Sequence, residues 1–472
     1  MEVFDLLLGL SFEVINGRLT NFSVNDVVFD SRLDCKDSAF VCISGKNYDS
    51  HNDFDLVCDK GAKLVVVDRY IHTDSDVLVI KVESTRKALS FMCMNLFGSP
   101  HKKLNIIGIT GTKGKTSTAI MLKRMLDNTS HKCGLIGSLG VVYKNKKINT
   151  INTTPDPYTL HSILKEMVDN EIDTVIIEIS GVAIKQERVA GIHFDYTILT
   201  NIMLDYLDYN EFENEDDYIQ TKARLFNQTE NSIINGDEPY LELFKKESAG
   251  NLYTYGLTAD VNLRANNISL IKDENFGLSY DIYDLKRTHV ELYQVGRQNV
   301  YNSLAALYVM MLIGYEIEKY VKFIKNISVN GRAEMIKNKF DRKIFIDCAV
   351  RPIGFSSIFE AISEYKDDKL ISVFSVDERS DTKERMELVK IACNYSDKCI
   401  LSTGKYNILG KEIEKYIRES NIECKVFENR ADAVKYAIKN SEKDDILLLL
   451  GTGRYDKSIF SCDYDVIREL AK

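Results

Sequence analysis

A glycine turn lies between an apolar strand and a helix in the stretch NIIGITGTKGKTSTAIML. The backbone N–H groups of such a turn point inward and the following helix adds its positive end, so the turn can bind an anionic phosphate. Gly111 and Gly114 allow the turn, while Lys115 can neutralise terminal phosphates. The hydroxyl of Thr116 can reach Mg²⁺. The usual spacing would put one more glycine at Ile109, but the strand, the helix and the intact G-K-T favour a nucleotide site over a chance glycine-rich turn.

A carboxylate at the end of a neighbouring strand would complete a site for Mg²⁺ and phosphate. In TVIIEIS, Glu178 ends an apolar run of the kind that lies buried in a parallel sheet. A glutamate at a loop edge that faces water would fit the same position equally well. The glycine loop upstream makes Glu178 a candidate metal ligand, and both interpretations stay open.

The composition is that of an ordinary soluble enzyme. The chain has 472 residues, of which 44% are hydrophobic and 28% charged, and its formal net charge is −9. This length predicts roughly two to four domains, and an acidic balance without a basic block argues against a nucleic-acid partner. No apolar run is long enough to span a bilayer, and MEVFDLLLGL lacks the basic lead and cleavage site of a secretory signal. The ten cysteines form no C-x-x-C pair, so we expect no disulfide framework, no structural zinc and a cytoplasmic location.

Short apolar strands alternate with helical patterns along the chain. The strand-like segments are SAFVCI, AKLVVVD, VLVIKV, DTVIIEIS, YTILTNI, KIFIDCA, KLISVFSV, KCILST and DILLLLGTG. The helical patterns include TRKALSFMCMNLF, NSLAALYVMML, TKERMELVKIAC and ADAVKYAIKNS. This alternation predicts an α/β fold of parallel sheets wrapped by helices. FGSPHKK is a turn-rich joint before the glycine loop, and three α/β domains are predicted, over residues 1–102, 103–337 and 338–472.

Several motifs follow one another in the order found in the Mur ligases. They are VVFDSR, GKNYDSHNDF, GITGTKGKTS, NTTPDP, EIS, RVAGIHFDYTILTNIMLDYLDY, YIQTKARLF, NGDE, GRQNVYN and NGRAEMI. The chain most resembles the Mur ligases that add the third residue of the peptidoglycan stem to a UDP-N-acetylmuramoyl dipeptide. Because these ligases use T-G-T-x-G-K-T, the resemblance also accounts for the spacing of the loop.

The resemblance implies an N-terminal UDP-binding α/β domain, a central P-loop-type ATPase domain with a parallel sheet, and a Rossmann-like C-terminal domain for the incoming amino acid. It also implies a reaction that uses ATP and Mg²⁺. A substrate carboxylate is phosphorylated, an amine attacks the acyl phosphate, and ADP and phosphate leave. The carboxylate repels the γ-phosphate, so Lys115 and Mg²⁺ would neutralise its approach. The expected partners are small molecules, a UDP-sugar peptide and an amino acid, and we expect a monomer.

The resemblance assigns roles to individual residues. Lys115, Glu178 and Lys222 would be catalytic, and the metal ligands would be Thr116, Glu178 and Lys222. Lys222 would act as a carbamylated lysine, and an unmodified surface lysine is the alternative. ATP would be bound by Gly111, Thr112, Gly114, Lys115, Thr116, Ser117, Asn299, Arg332 and Asp347. The UDP-sugar peptide would be held by Ser31, Lys46, Asn47, Thr153, Thr154, Ser180 and Arg188.

Three motif positions that hold histidine in the family are occupied by Val182, Tyr206 and Val350. The histidine at the position of Tyr206 is a ligand of a second Mg²⁺ in the family. A neutral phenol is a weak ligand for a hard cation. Either water completes that coordination shell or the second metal site is weak.

The signatures that select the incoming amino acid also differ. The D-N-P-R signature for diaminopimelate has no counterpart in LSTGKYNIL, and GTGRY stands in place of the later G-K-G-H-E. Altered polar partners usually mean an altered substrate, so we expect an amino acid other than diaminopimelate. Arg379, Lys405 and Arg454 could pair with a carboxylate of that amino acid, although surface lysines and arginines are common. Two further hypotheses stay open: the same chemistry in a specialised-metabolite pathway, and a non-catalytic relative that binds nucleotide or UDP-sugar.

Overall fold

A computed structural model describes residues 1–258, 260–284, 286–339, 342–376, 381–403, 410–420, 422–451 and 457–470. The chain divides into two compact units. The first unit comprises Met1–Arg264 and Asn302–Glu316, and the second comprises Ala265–Tyr301 and Ile317–Lys472. In the described ranges, no helix has the length and apolar character needed to cross a membrane.

The N-terminal part of the first unit is a mixed sheet with helices. Its elements are α1 (Val3–Leu6), β1 (Glu13–Asn16), β2 (Val27–Val28), β3 (Ala39–Val41), α2 (Phe54–Asp59), β4 (Leu64–Val67), β5 (Leu78–Lys81) and α3 (Thr85–Leu96). The strand order is β1-β5-β4-β3-β2, and only β1 runs antiparallel to its neighbour. Leu64 and Val66 belong to one hydrophobic cluster and Val65 and Val67 to another, because successive strand residues face opposite sides of a sheet.

The central part of the first unit carries the glycine loop. Its strands are β6 (Asn105–Thr110), β7 (Cys133–Gly137), β8 (Gly140–Tyr143), β9 (Lys146–Ile148), β10 (Thr174–Glu178), β11 (Phe194–Leu199), β12 (Thr229–Asn235) and β13 (Asn251–Gly256), and β14 (Leu263–Lys272) follows. Its helices are α4 (Lys115–Leu126), α5 (Pro157–Asp169), α6 (Gly181–Lys185), α7 (Glu215–Ala223) and α8 (Leu241–Glu247).

Strand β6 lies in the middle of this sheet. The order is β13-β12-β11-β6-β10-β7-β8-β9, and the strands from β13 to β7 are parallel. Strand β6 is buried except at its first residue, as expected for a strand covered on both faces. Because parallel strands end at the same edge of a sheet, the segments after β6, β7, β10 and β11 come together.

The second unit contains an antiparallel sheet and a mostly parallel one. Its elements are β15 (Phe276–Tyr283), β16 (Arg287–Leu292), β17 (Glu334–Ile336), β18 (Lys343–Ile346), α10 (Pro352–Ser363), β19 (Leu370–Ser375), α11 (Thr382–Tyr395), β20 (Lys398–Ser402), α12 (Gly410–Glu419), β21 (Glu423–Phe427), α13 (Arg430–Lys439), β22 (Ile446–Leu449) and α14 (Lys457–Leu470). Helix α9 (Gln298–Ile313) belongs to the first unit from Asn302 onward. Strands β14, β15 and β16 are antiparallel. The other sheet has the order β17-β18-β22-β19-β20-β21, and β17 alone of these described strands is antiparallel to its neighbour.

The predicted α/β fold is confirmed, and each strand and helix named from the sequence is present. The joint FGSPHKK is a turn, in which Gly98 and Ser99 have φ angles of +74° and +51°. The central strands of the sheets are parallel, as predicted, and antiparallel strands are added at the margins. Strand β14 shows the physical reason, since its residues alternate between more and less exposed positions as in a sheet with one solvated face. The boundaries at 102/103 and 337/338 stay predictions.

Candidate active site

The glycine loop connects β6 to α4. Gly111 and Gly114 have φ angles of +138° and +83°, which side-chain-bearing residues rarely adopt. A Cβ atom at Gly111 would lie 2.0 Å from Thr200 Oγ1, and one at Gly114 would lie 2.2 Å from Asn302 Oδ1. Both positions therefore require glycine.

Polar residues after β11 hold the loop in place. Thr200 Oγ1 donates to the carbonyl oxygen of Lys113 at 2.6 Å, and Lys113 N–H donates to Asn201 Oδ1 at 2.9 Å. The predicted ATP ligand Thr112 accepts from the N–H of Met203 through its hydroxyl oxygen at 2.9 Å. Sequence reasoning missed Thr200 and Asn201. Their one signal is their position directly after a parallel strand, at the edge where the glycine loop also lies.

Lys115 begins α4, and its ammonium group turns back onto the loop. Its Nζ donates to the carbonyl oxygens of Gly111 at 2.7 Å and Thr112 at 3.1 Å. No side chain caps the helix at Gly114, and Ser117, in the first turn, is buried. The ammonium and the positive end of the helix are therefore at one place, where they favour an anion.

Glu178 is completely buried, which rules out the alternative of a water-facing glutamate. Its Oε2 accepts from Thr116 Oγ1 at 2.7 Å, and its Oε1 accepts from Ser138 N–H at 3.0 Å. Ser138 Oγ also donates to Glu178 Oε2 at 3.2 Å and lies 3.0 Å from Thr153 Oγ1. Ser138 was not predicted, although it follows parallel strand β7 directly. Together the carboxylate and the hydroxyl of Thr116 offer the oxygen ligands that a hard cation prefers.

Lys222 on α7 is buried, with 2% of its surface exposed, so it is not a surface lysine. Its Nζ donates to the carbonyl oxygen of Gly111 at 3.1 Å and lies 4.8 Å from the centroid of the Tyr218 ring. Within the described ranges it has no carboxylate partner. Burial lowers the pKa of the Lys222 amine well below its ordinary value, and the positive charge of Lys115 contributes to a smaller extent.

Four of the residues predicted to hold the UDP-sugar peptide lie beside Glu178. Thr154 Oγ1 donates to the carbonyl oxygen of Glu178 at 2.9 Å and accepts from Ser180 N–H at 3.1 Å. Arg188 Nη1 donates to the carbonyl oxygen of Thr154 at 2.7 Å. With Thr153, these residues form one hydrogen-bonded group next to the predicted phosphate site.

The other three predicted acceptor residues belong to the N-terminal part of the first unit. Ser31 is buried, and its hydroxyl donates to the carboxylate of Asp53. Lys46 and Asn47 are exposed, and Lys46 Nζ donates to the carbonyl oxygen of Asn210 at 3.2 Å. This hydrogen bond connects the loop that carries Lys46 to the central part of the unit.

The remaining predicted ATP contacts lie in the second unit. Asn299 Nδ2 donates to the carbonyl oxygen of Val295 at 2.9 Å. Asp347 Oδ2 accepts from Ala333 N–H at 2.7 Å, which places Asp347 next to the residue that follows Arg332. Their roles toward ATP stay predictions. The residues predicted to contact the amino acid lie outside the described residues; they are Arg379, Lys405 and Arg454.

The donor set fits one Mg²⁺, whereas the position of the second ion that the resemblance implies offers only a weak ligand. In the described part of the chain, no cluster of three or more His, Cys, Asp or Glu side chains could hold a metal ion. Glu178 and Thr116 supply oxygen atoms, and Lys222 would add more only after carbamylation. At Tyr206, where the resemblance places a ligand of the second ion, the ammonium of Lys113 lies 3.8 Å from the centroid of the ring. A phenol beside a cation is a weak ligand for a further divalent ion.

Comparisons with known proteins agree with this geometry. The sequence profile of the Mur ligase middle domain matches residues 109–310, and that of the Mur ligase, glutamate ligase domain matches residues 331–453. The UDP-N-acetylmuramoyl-L-alanyl-D-glutamate–2,6-diaminopimelate ligase 1 of Clostridium acetobutylicum is 32% identical over 488 residues, covering 100% of this chain and 99% of the relative. The corresponding ligase of Clostridium botulinum is 32% identical over 468 residues, covering 95% of each chain.

Solved structures share the fold. A structure of a UDP-N-acetylmuramoyl-L-alanyl-D-glutamate–2,6-diaminopimelate ligase matches with a TM-score of 0.74 at 19% identity, over 95% of this chain and 96% of that one. MurF ligase of Thermotoga maritima in complex with ADP matches with a TM-score of 0.62 at 17% identity, over 94% and 97%. Two family domains in sequence order, and relatives above 30% identity along the full length, lead to one conclusion: the chain belongs to the Mur ligase family.

Proposed function

We propose that the chain is an ATP-dependent amide-bond ligase that adds an amino acid to a UDP-N-acetylmuramoyl-peptide acceptor. The observation that carries this proposal is the convergence of Lys115, Glu178 and Lys222 on one glycine loop. The names of the relatives, which are UDP-N-acetylmuramoyl-dipeptide ligases, support the choice of acceptor. The acceptor and the amino acid are small molecules, and we propose a cytoplasmic monomer.

The triphosphate of ATP would lie along the glycine loop. The backbone N–H groups in the first turn of α4 would hold its oxygen atoms, and the ammonium of Lys115 would face its terminal phosphates. Mg²⁺, held by Glu178 and the hydroxyl of Thr116, would reduce the negative charge of the phosphates when bound. The resemblance assigns adenine, phosphate and ribose contacts to Asn299, Arg332 and Asp347.

The acceptor carboxylate would lie near Thr153, Thr154 and Arg188, because these residues are linked to Glu178 by hydrogen bonds. One carboxylate oxygen forms a bond to the terminal phosphorus while the bond to the bridging oxygen of ADP breaks. An uncharged amine then forms a C–N bond to the acyl carbon, and phosphate leaves with the electrons of the C–O bond. The amine loses its proton to solvent. Lys115 contributes a fixed positive charge where negative charge accumulates.

Lys222 would carry a carbamate in the active enzyme. A neutral amine is the form that reacts with carbon dioxide, and the lowered pKa of Lys222 favours that form. The product is an anion beside the ammonium of Lys115, so the charge repulsion between two lysines becomes an attraction. Its oxygen atoms would join Glu178 around Mg²⁺.

The incoming amino acid is proposed to be other than diaminopimelate. The relatives are named as diaminopimelate ligases, but LSTGKYNIL and GTGRY lack the polar groups of the diaminopimelate signatures. A site built for a charged substrate rejects analogues strongly, so the change of residues favours a change of substrate.

Phosphate release from ATP tests the proposal, with UDP-N-acetylmuramoyl-L-alanyl-D-glutamate and a panel of amino acids that includes diaminopimelate and lysine. We expect release to require the acceptor and one amino acid, and mass spectrometry to find the acceptor enlarged by that amino acid less one water. Lys115→Ala, as the inactive control, should release no phosphate above background. Protein that binds ADP but shows no release with any pair would favour the non-catalytic alternative, and protein without affinity for adenine nucleotides would overturn the proposal.

A further inference from the structure

The N-cap residue and the second turn of α3 are hydrogen-bonded to the segment that carries Arg188. The hydroxyl of Ser84 donates to the carboxylate of Glu187, and Ser90 Oγ donates to the carbonyl oxygen of Glu187 at 2.5 Å. Glu187 itself has a φ angle of +53°, just after α6. These bonds bring Arg86, in the first turn of α3, close enough to Arg188 for its charge to act on Arg188.

Each of these two arginines donates to the backbone of one predicted acceptor segment. Arg86 Nη2 donates to the carbonyl oxygen of Ser44 at 2.9 Å, in the segment that continues to Lys46 and Asn47. Arg188 Nη1 donates to the carbonyl oxygen of Thr154 at 2.7 Å. The two guanidinium groups therefore face both halves of the predicted acceptor site, one from the N-terminal part and one from the central part of the first unit.

Neither guanidinium forms an ion pair with a carboxylate of the described ranges. Arg188 donates its other hydrogen bonds to the amide oxygen of Gln186, at 3.1 and 2.7 Å. The carboxylates whose charges act on the pair are those of Glu187, Glu211 and Asp156, and none of them lies within the 4.0 Å of an ion pair. The carboxylate of Glu187 is already engaged by Ser84.

Two half-buried positive charges near each other are unfavourable unless an anion offsets them. Burial lowers the pKa of both guanidinium groups, and the charge of Arg86 lowers that of Arg188 further. A guanidinium group is planar and presents paired N–H donors, which match two oxygen atoms of a carboxylate or a phosphate. The arrangement is therefore suited to one anionic group held between the two arginines.

We propose that Arg86 binds the acceptor together with Arg188, and that both donate to one anionic group of the acceptor, a diphosphate or a carboxylate. The inference rests on the proposed function, since it adds a specificity-determining residue to the acceptor site of that ligase. Arg86 lies on α3 in the N-terminal part of the first unit, and Arg188 follows α6 in its central part. The bound anion would therefore lie between these two parts. An acceptor analogue without this anion is rejected, because the two charges would stay uncompensated.

Calorimetric titration of Arg86→Gln with UDP-N-acetylmuramoyl-L-alanyl-D-glutamate, and separately with UDP, tests the inference. We expect the acceptor affinity to fall roughly tenfold or more, since charge-assisted hydrogen bonds are lost. The affinity for ADP should not change. A loss with both ligands assigns the diphosphate to the pair, and a loss with the full acceptor alone assigns a carboxylate. Affinities equal to those of the wild type for both ligands would overturn the inference.

Three controls separate anion binding from support of the Ser44 segment. Arg86→Lys keeps the charge but loses the paired donors, so its affinity should lie between those of Arg86→Gln and the wild type. Added salt should weaken acceptor binding by the wild type more than by Arg86→Gln, and equal salt slopes would point to a purely structural role and refute the inference. Arg18→Gln removes an exposed arginine of the same part of the chain and should bind as the wild type does. A wild type that does not bind the acceptor refutes the proposed function, whereas undiminished binding by Arg86→Gln refutes only the role of Arg86.

Discussion

A buried amine beside a second ammonium group is unstable as a cation. The amine of Lys222 contacts the carbonyl oxygen of Gly111 and the ring of Tyr218. Its lowered pKa favours the neutral form. Conversion to a carbamate would give the glycine loop an anionic metal ligand without any further acidic residue in the sequence. This explains why a site with one described carboxylate, Glu178, can still suit Mg²⁺.

Lys222→Ala tests this explanation. We expect the variant to lose roughly a hundredfold or more in turnover, because the metal loses a ligand and the charge of Lys115 loses its counter-ion. Carbon-13 NMR of wild-type protein in labelled bicarbonate should show one carbamate signal that Lys222→Ala lacks. A wild type that is fully active with no carbamate signal would contradict the modification.

Tyr206→His tests whether the second metal position is merely weakened in this chain. The imidazole is a better ligand than a phenol, so the variant should reach half-maximal activity at a lower Mg²⁺ concentration. The control is Tyr206→Phe, which keeps a ring under the ammonium of Lys113 and should leave the Mg²⁺ dependence unchanged. Titration of turnover with Mg²⁺ at fixed ATP measures both. The same dependence in all three proteins would count against a weakened second site.

Local patterns revealed some site residues and could not reveal others. The glycine loop was predictable because its turn, its lysine and its helix are contiguous in sequence. Glu178 was predictable only as one of two readings, since burial decides between them. Ser138 and Arg86 carry no local signature, because their partners come from segments far away in the chain. Such residues become visible only when the fold brings the strand ends and helix ends together.

Strand β7 ends at a glycine that makes room for the carboxylate of Glu178. A Cβ atom at Gly137 would lie 2.2 Å from Glu178 Oε1 and 2.7 Å from its Cδ. We expect Gly137→Ala to displace Glu178 from Thr116 and Ser138 and to lower turnover at least tenfold. Gly98→Ala is the matched control, since Gly98 has a φ angle of +74° with nothing within 4 Å of an added Cβ. The control should lose about 1 kcal/mol of stability but keep its turnover; equal turnover in both variants would contradict the packing argument.

Helix α5 carries a histidine that the fold buries without a hydrogen bond. His161 is completely buried, and in the described part of the chain neither of its ring nitrogens has a partner. Its ring centroid lies 6.4 Å from that of His101, in the short helical turn before β6. Burial, with a smaller effect of His101, lowers the pKa of His161 to about 3. Burial together with the charges of Lys102 and His193 lowers the pKa of His101 to about 4.

These histidines should make the first unit sensitive to acid. Below pH 6.5, the pKa of histidine in the unfolded chain, the unfolded chain binds protons that the folded chain does not bind. The contribution of these histidines to the free energy of unfolding is therefore fully present above that pH, and it decreases as the pH falls toward the pKa values of the folded state. At about pH 5 the loss for His161 alone is about 2 kcal/mol. His161→Leu should therefore show a smaller drop in melting temperature between about pH 7.5 and pH 5 than the wild type. An identical drop would show that other groups cause the acid sensitivity.

Some strands could be predicted from their own residues, and others could not. Buried strands such as β10 and β22 are continuous apolar runs, which identify central strands of a parallel sheet from sequence alone. The antiparallel additions β8, β9 and β17 are three or four residues long, too short for periodicity to define them. Their pairing depends on a neighbouring strand and could not be predicted from their own residues.

The two compact units each have their own hydrophobic interior. Two hydrophobic clusters on opposite faces of the N-terminal sheet, and one around β6 and β10, belong to the first unit. Clusters on the two faces of the sheet that contains β19 and β22 belong to the second. A chain with separate interiors need not unfold in one cooperative step. The residues proposed for the acceptor all lie in the first unit, whereas the residues of the C-terminal family domain lie in the second.

Scanning calorimetry should therefore resolve two transitions, with a calorimetric enthalpy that exceeds the van't Hoff enthalpy. UDP-N-acetylmuramoyl-L-alanyl-D-glutamate should raise the transition of the first unit, since a ligand at a hundred times its Kd stabilises its binding unit by about 2.7 kcal/mol. The second transition should stay where it is, because Ser31, Thr154 and Arg188 lie outside that unit. Arg188→Gln, which loses a proposed contact, should show a smaller shift at the same ligand concentration. One two-state transition that moves as a whole would show instead that the units unfold together and that the acceptor stabilises both.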